Sequence, residues 1–435
     1  MTLPTQTSPI NTAPSVSATH DLPQVVFEAQ KILKEMSGQL PRTVMGLERQ
    51  MMISDAMTRT DESTKLKLHA LMNHFLTRMF TINASDIDMG GFGSQGAVWY
   101  RIFGTKKPEQ TMGKYTPDEL NILIQSILSE RQRSFLFENR NLDFSHTLYL
   151  NANDFRRFRA DAYFDLDQLA LNMRAINDTV RPYKNLELHP NVTRVLSLAH
   201  TKEGLCLITG ITGSGKSTTL DAIIDANNHS VEGHIVIIAS PVEYVHRSDK
   251  CIIRHREIGR DVLSFKDGAI QALRQDPDII MIGELRDPAT ILTALEITDS
   301  GHKVFSTLHT ASAIESIDRI IGETPVDEQE RVRNRLADTL RCVISQKLIP
   351  SLDGKRVMAK EVMLGTPSVR AAIKNNNTGE IYQMINEGLD QGMCTMEQDL
   401  KRLYTQKKIT LENAMNYANN KRRLQQLLQV QPSDQ

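Results

Sequence analysis

Gly210-Ile211-Thr212-Gly213-Ser214-Gly215-Lys216-Ser217 places three glycines, a lysine and a hydroxyl at the spacing that cradles a polyphosphate. The glycines let the backbone curl until successive N–H groups point at phosphate oxygens. Lys216 then reaches the β- and γ-phosphates, and the Ser217 hydroxyl is a ligand for Mg²⁺. Thr218 continues into a helix whose N-terminus adds positive potential. The expected ligands are therefore ATP and Mg²⁺, held by Gly210, Ile211, Thr212, Gly213, Ser214, Gly215, Lys216, Ser217 and Thr218.

Three further segments carry groups of the right type. Asp278-Ile279-Ile280-Met281-Ile282-Gly283-Glu284 reads as an apolar strand ending in an acid. Such an acid lies at the carboxyl edge of a doubly wound sheet, where ligands bind. Glu284 would order the water shell of Mg²⁺, or it could cap the following helix. Glu243, in Ser240-Pro241-Val242-Glu243, can take a proton from an attacking water, though a loop acid is by default only solvated. His302 and His309 bracket a short strand. They are seven residues apart, so they face opposite sides and do not share one metal. Either could donate a hydrogen bond to a γ-phosphate, although a lone His is usually structural. Arg156, Arg157, Arg159 and Arg174 are cations that could neutralise phosphate charge from a neighbouring subunit, or they are the wet face of a strand.

The elements that must position these groups are legible in outline. Residues 1–23, rich in Thr, Ser and Pro, read as a disordered tail, and 24–60 as a helical extension. Residues 61–184 combine a helix with Leu68, Leu71, Phe75 and Met79 on one face, a Gly-rich turn at 90–93, and strands near 97–103, 142–150 and 155–164. That is a small α+β domain. Residues 185–190 read as a linker. From 191 to 366, apolar strands at 204–209, 234–238, 279–282 and 303–307 alternate with helices, the pattern of a parallel sheet covered on both faces. Residues 367–435 read as helical, with a polar tail.

Composition is that of a soluble globular chain of 435 residues, with 40% hydrophobic and 24% charged residues and a net charge of −1. Nothing advertises direct nucleic-acid binding. Cys206, Cys251, Cys342 and Cys394 form no CxxC pair, so a structural zinc site is not expected. Residues 1–20 lack Lys, Arg and an apolar core, which argues against a secretory signal, and no apolar run is long enough to span a bilayer. A GTPase would need an Asn-Lys-x-Asp signature, and Asn420-Lys421-Arg422-Arg423 lacks the Asp. A helicase would need a basic, aromatic-rich strand-binding segment, and none is found. An adaptor that binds nucleotide without hydrolysing it remains an alternative.

Taken together, ITGITGSGKSTT (208–219), ASPVEYVH (239–246), DPDIIMIGELRD (276–287) and SGHKVFSTLHT (300–310) resemble the secretion-ATPase superfamily, and PilT-like type IV pilus retraction ATPases most. Asn83 to Asp88, Arg157-Phe158-Arg159 and Ile344 to Leu348 are similar too, so the likeness spans about residues 65–420. The resemblance implies a PAS-like domain joined to a RecA-like P-loop ATPase domain with a helical C-terminal region. It also implies a cytoplasmic homo-hexamer at the inner face of the membrane. Its partners would be an inner-membrane pilus platform protein and other pilus ATPases, and its work would be twitching motility. It makes Glu243 the general base of an Asp box, Glu284 the Walker B carboxylate, and His302 and His309 a His-box pair. The family usually carries Glu-Asp-Pro-Ile-Glu where this chain has Ala239-Ser240-Pro241-Val242-Glu243. DotB-like ATPases of type IVB secretion also vary in that box and are the alternative. Pro367 to Lys374 matches only partly the Ala-Ile-Arg-type motif of retraction ATPases.

Overall fold

The computed structural model describes residues 22–151, 154–176 and 179–429. The tail expected at the start of the chain, up to residue 21, and the polar end from residue 430 lie outside the described residues. The chain divides into two compact units, Met1–Ile176 and Asn177–Gln435.

The first unit is an α+β domain. Six strands, β1 (Ala84–Gly90), β2 (Trp99–Ile102), β3 (Thr105–Pro108), β4 (Asn141–Tyr149), β5 (Phe155–Asp165) and β6 (Gln168–Ala175), form one antiparallel sheet in the order β3-β2-β1-β6-β5-β4. The helix Glu62–Thr81 buries Leu68, Leu71, Phe75 and Met79 in one core with Ile87, Met89, Phe158, Leu171 and Met173 of the sheet. Its start is set by Asp61, whose carboxylate accepts from the Thr64 N–H at 3.0 Å. Capping boxes at Thr116 and Ser129 open the helices Pro117–Ser126 and Glu130–Asn139. The helices Leu22–Gly38 and Gly46–Arg59 are where the helical extension was expected. The edge strand β3, Thr-Lys-Lys-Pro, is exposed along its whole length, and its lysines and proline discourage pairing with another chain.

The second unit is the α/β domain. Its strands are β7 (Gly204–Thr209), β8 (Gly233–Ala239), β9 (Cys251–Glu257), β10 (Ile279–Ile282), β11 (Lys303–Leu308), β12 (Leu340–Pro350) and β13 (Arg356–Leu364). They are ordered β13-β12-β7-β11-β10-β8-β9. Every pair is parallel except β12–β13. All residues of β7, β10 and β11 are buried, which requires cover on both faces and explains why they read as continuous apolar runs. The expected linker at 185–190 holds contacts of this unit instead. Leu186 is buried in its core, and Glu187 meets Arg402 at 2.8 Å and Lys408 at 3.1 Å. Helices from Pro367 to Gln429 complete the unit.

At the amino edge of this sheet Lys303 is fully buried. Its ammonium donates to the carbonyls of Val195 (2.6 Å) and Thr201 (2.9 Å), and burial pushes its pKa down. It therefore ties the segment before β7 to β11. Lys303→Ala removes two charge-assisted hydrogen bonds and leaves a cavity. It is expected to lower unfolding free energy by about 3 kcal/mol in urea titrations, with a change under about 0.5 kcal/mol contradicting this role.

Candidate active site

The P-loop lies where β7 ends and the helix Lys216–Ser230 begins. Gly210 has φ +147, and a Cβ there would stand 2.4 Å from the Gln346 carbonyl and 2.5 Å from Ser214 Oγ. Only glycine fits that approach. Gly213 (φ +79) and Gly215 (φ +88) turn the chain the rest of the way. A Cβ on Gly213 would meet nothing within 4 Å, so that side of the loop is open to a ligand. The flank Ser345-Gln346 on β12 braces the loop from behind. Ser345 Oγ and Thr209 Oγ1 are 2.8 Å apart, and Gln346 Nε2 donates to the Ser214 carbonyl at 2.8 Å. Sequence reading did not assign Gln346 this task, because 132 residues separate it from Ser214.

Lys216 is buried, and its ammonium donates to the carbonyl of Gly210 at 2.8 Å and that of Ile211 at 3.3 Å. Burial lowers its pKa, while the charges of Glu284 and Glu243 pull it back up. Both carboxylates expected from the sequence are thus within electrostatic reach of this lysine. Glu284 follows β10 and is not the cap of the next helix. Asp287 takes that role, accepting from Thr290 N–H at 2.9 Å. Glu243 lies exposed in the loop after β8, next to a cis Ser240–Pro241 bond.

His309, directly after β11, completes the group. Its Nδ1 is 3.4 Å from the Lys216 ammonium and its Nε2 is 3.7 Å from Glu284 Oε2. An ammonium can only donate, so Nδ1 accepts and the ring proton sits on Nε2, facing Glu284. Burial first, and the Lys216 charge second, hold its pKa below the usual histidine value. At neutral pH it is therefore an uncharged donor.

The structure does not bring His302 to this group. Its carbonyl accepts from Gly204 N–H at the start of β7, at the end of the sheet away from the P-loop. Its Nδ1 is 3.0 Å from Ser300 Oγ. The strand between the two histidines carries them to opposite edges, about 20 Å apart. Within one chain only His309 can act at the P-loop.

Arg159 and Arg174 belong to the first unit. They face each other across β5 and β6, and Asp86 and Arg101 continue the same row on β1 and β2. Arg174 Nε holds the buried Asp86 carboxylate at 2.8 Å, while Arg159 stands 3.9 Å from Asp143. Both side chains remain more than half exposed. Arg156 pairs instead with Asp154 at 2.7 Å.

The residues fit a nucleoside triphosphate. A helix start, three glycines and an inward-facing ammonium supply donors around a space with an open side. Mg²⁺ would take the Ser217 hydroxyl and Glu284, with phosphate oxygens and water filling the remaining positions. Among the described residues no group of three His, Cys, Asp or Glu could hold a metal ion.

The family model for the type II/IV secretion system protein matches residues 147–430. The chain belongs to this family. It is 39% identical over 300 residues to the type IV pilus retraction ATPase PilT of Pseudomonas aeruginosa, covering 69% of this chain and 85% of that protein. Among solved structures it superposes on the pilus retraction motor PilT with bound ADP, with TM-score 0.72 and 35% identity over 81% of this chain and 98% of that one. It also superposes on the ATPase DotB of Legionella pneumophila, with TM-score 0.63 and 27% identity over 79% and 94%. Among the described residues no helix is long and apolar enough to cross a membrane.

The loop after His309 is anchored by a distant residue that no local motif marks. Glu361 on β13 is buried, and its carboxylate accepts from Ala313 N–H at 2.8 Å, at the start of the helix Ala313–Gly322. It also accepts from the backbone of Met396, at the start of the helix Met396–Thr405. Burial, with the nearby Glu397 adding to it, raises its pKa to about 7 against these hydrogen bonds. A raised acid pKa means the folded state binds the proton more tightly. The corresponding stability is fully present below about pH 4.5 and is lost as pH rises through about 7. Glu361→Gln should therefore flatten the pH dependence of unfolding across that window, by on the order of 3 kcal/mol. Parallel wild-type and variant profiles in urea at pH 5 and 8 would contradict this.

Proposed function

We propose that this chain is an ATP-hydrolysing motor that assembles as a homo-hexamer and retracts type IV pili at the cytoplasmic face of the inner membrane. The observation that carries the reading is the convergence of Lys216, Glu284 and His309 on a braced P-loop. The 39% identity to a pilus retraction ATPase supplies the direction of the work. An inner-membrane platform protein and other pilus ATPases would be its partners.

Residues 210–218 hold the triphosphate. Lys216 leaves the Gly210 carbonyl for the β- and γ-phosphate oxygens, which offer a buried ammonium a stronger, charged acceptor. Mg²⁺, when bound through Ser217 and Glu284, offsets phosphate charge. Glu243 takes the proton of the water that attacks the γ-phosphorus in line with the departing ADP oxygen. His309, uncharged and donating from Nε2, marks whether a γ-phosphate is present. Arg159 and Arg174, exposed on one sheet face, neutralise phosphate charge from an adjacent copy.

Glu243→Gln should lower kcat at least about 100-fold while nucleotide affinity changes little, measured as phosphate release and fluorescent-nucleotide binding. An unchanged rate removes Glu243 as the base. Stripping Mg²⁺ with a chelator should abolish turnover reversibly. In the host, deletion of the gene should stop twitching and leave excess surface pili. Normal pili with lost effector or plasmid transfer would favour the DotB-like reading, for which both identity and superposition are lower.

A further inference from the structure

The loop that carries Glu243 is pinned on both sides of that residue. On one side Val242 N–H donates to Glu257 Oε2 at 3.1 Å, and Glu257 is itself buried at the end of β9. On the other side the anchor is His246. Its backbone N–H donates to His255 Nε2 on β9 at 3.0 Å. Its side chain is fully buried, with Nε2 3.2 Å from Asp221 Oδ1. Its ring meets the edge of Tyr244 at 4.7 Å between centroids, and lies 10° from parallel with the His255 ring at 6.1 Å.

Asp221 belongs to the helix Lys216–Ser230, whose first residue is the P-loop lysine. It lies five residues beyond Lys216, about 7–8 Å along the helix axis. A helix of that length is stiff, so any shift of its start carries Asp221 with it. The pair is well insulated. Burial raises the Asp221 carboxyl pKa, and the hydrogen bond and charge of His246 act against that rise. A solvated surface pair would add little, but a buried one fixes geometry. Asp225, on the same helix, stands 4.0 Å from His246 Nδ1, too far for a hydrogen bond, so the hold on the side chain comes from Asp221.

We propose that His246 is a positioning residue that locks the Asp-box loop to the P-loop helix through Asp221, so that Glu243 is placed relative to the phosphates held at Lys216. This rests on the reading of Glu243 as the base. His246 touches neither phosphate nor water in this scheme and acts only by holding the loop. The short sequence interval from Glu243 to His246 makes the coupling direct: only Tyr244 and Val245 separate the pinned ring from the base. It also offers a physical reason why hydrolysis can survive with Ala239 and Ser240 in place of two acids. The loop is held here by hydrogen bonds to Glu257, His255 and Asp221, none of which needs an acid at 239 or 240.

The test is a set of variants in the full-length protein: His246→Gln, Asp221→Asn, Glu243→Gln, and each of the first two combined with the third. Single-turnover ATP hydrolysis, mant-ADP affinity and thermal melting are measured for each. The expected result is a loss of at least tenfold in hydrolysis for His246→Gln and for Asp221→Asn. Mant-ADP affinity should stay within twofold of wild type, and neither variant should slow Glu243→Gln further. Should His246→Gln melt below the assay temperature, Asp221→Asn decides. Wild-type hydrolysis in both variants overturns the proposal, as does a second tenfold loss in the Glu243→Gln background or a parallel loss of nucleotide affinity. A wild-type rate for Glu243→Gln alone identifies a different failure, that of the base assignment. Slow Glu243→Gln with normal His246→Gln and Asp221→Asn leaves the base in place and removes only the coupling.

Discussion

A buried ammonium must be met by oxygen, and the arrangement of the second unit follows from meeting Lys216. The strand β7 delivers the chain to the carboxyl edge of the sheet, and the glycines turn it back so that Gly210 and Ile211 offer carbonyls to the lysine. Those carbonyls are modest partners for a charge that burial disfavours. Phosphate oxygens are better ones. The site is therefore built to exchange an internal acceptor for a ligand's. Everything around it, from Gln346 behind the loop to His309 and Glu284 before it, keeps that exchange local.

The acids and histidine near Lys216 arrive by separate routes. Glu284 comes on the end of β10, His309 on the end of β11 and Glu243 on the end of β8. Parallel strands put all these ends on one edge, which is why a parallel sheet can assemble a site from residues far apart in sequence. The same geometry sends His302 to the other edge. Loop anchors then set the finer placement. Glu257 and His246 hold the Asp-box loop, and Glu361 holds the start of the helix after His309. Glu257 and Glu361 are buried carboxylates that accept from backbone N–H groups, and His246 is a buried ring paired with Asp221, so each restricts its loop.

How much of this was legible depended on whether the signal was local. The P-loop is contiguous, and its flanking strand and helix announce themselves. The strands β7, β8, β10 and β11 are apolar because both faces are covered, so their positions were readable to within a residue or two. The strands β12 and β13 escaped notice because polar Ser345, Gln346, Lys360 and Glu361 interrupt their apolar runs, and all four are buried for reasons supplied by distant residues. Edge strand β9 has only Cys251-Ile252-Ile253 as an apolar run before Arg254-His255-Arg256-Glu257, and β3 has no apolar residue except Pro. Capping residues such as Asp287 could be read from the sequence because a cap acts within three positions. His246 and Asp221 could not, since nothing in a sequence marks a contact between a loop and a helix 25 positions apart. The fold class, an α+β domain followed by a parallel α/β domain with a helical end, was fully legible because it depends on pattern and not on any single contact.

Lys216 is proposed to trade the Gly210 carbonyl for the oxygens of a triphosphate. Equilibrium binding of ATP to the purified protein, with and without Mg²⁺ and with Lys216→Ala alongside, tests it most directly. Magnesium-dependent binding that falls at least about 100-fold in the variant is the predicted result, since a buried charge–charge contact is lost. Wild-type protein without affinity for ATP, or a variant that binds as the wild type does, would contradict it.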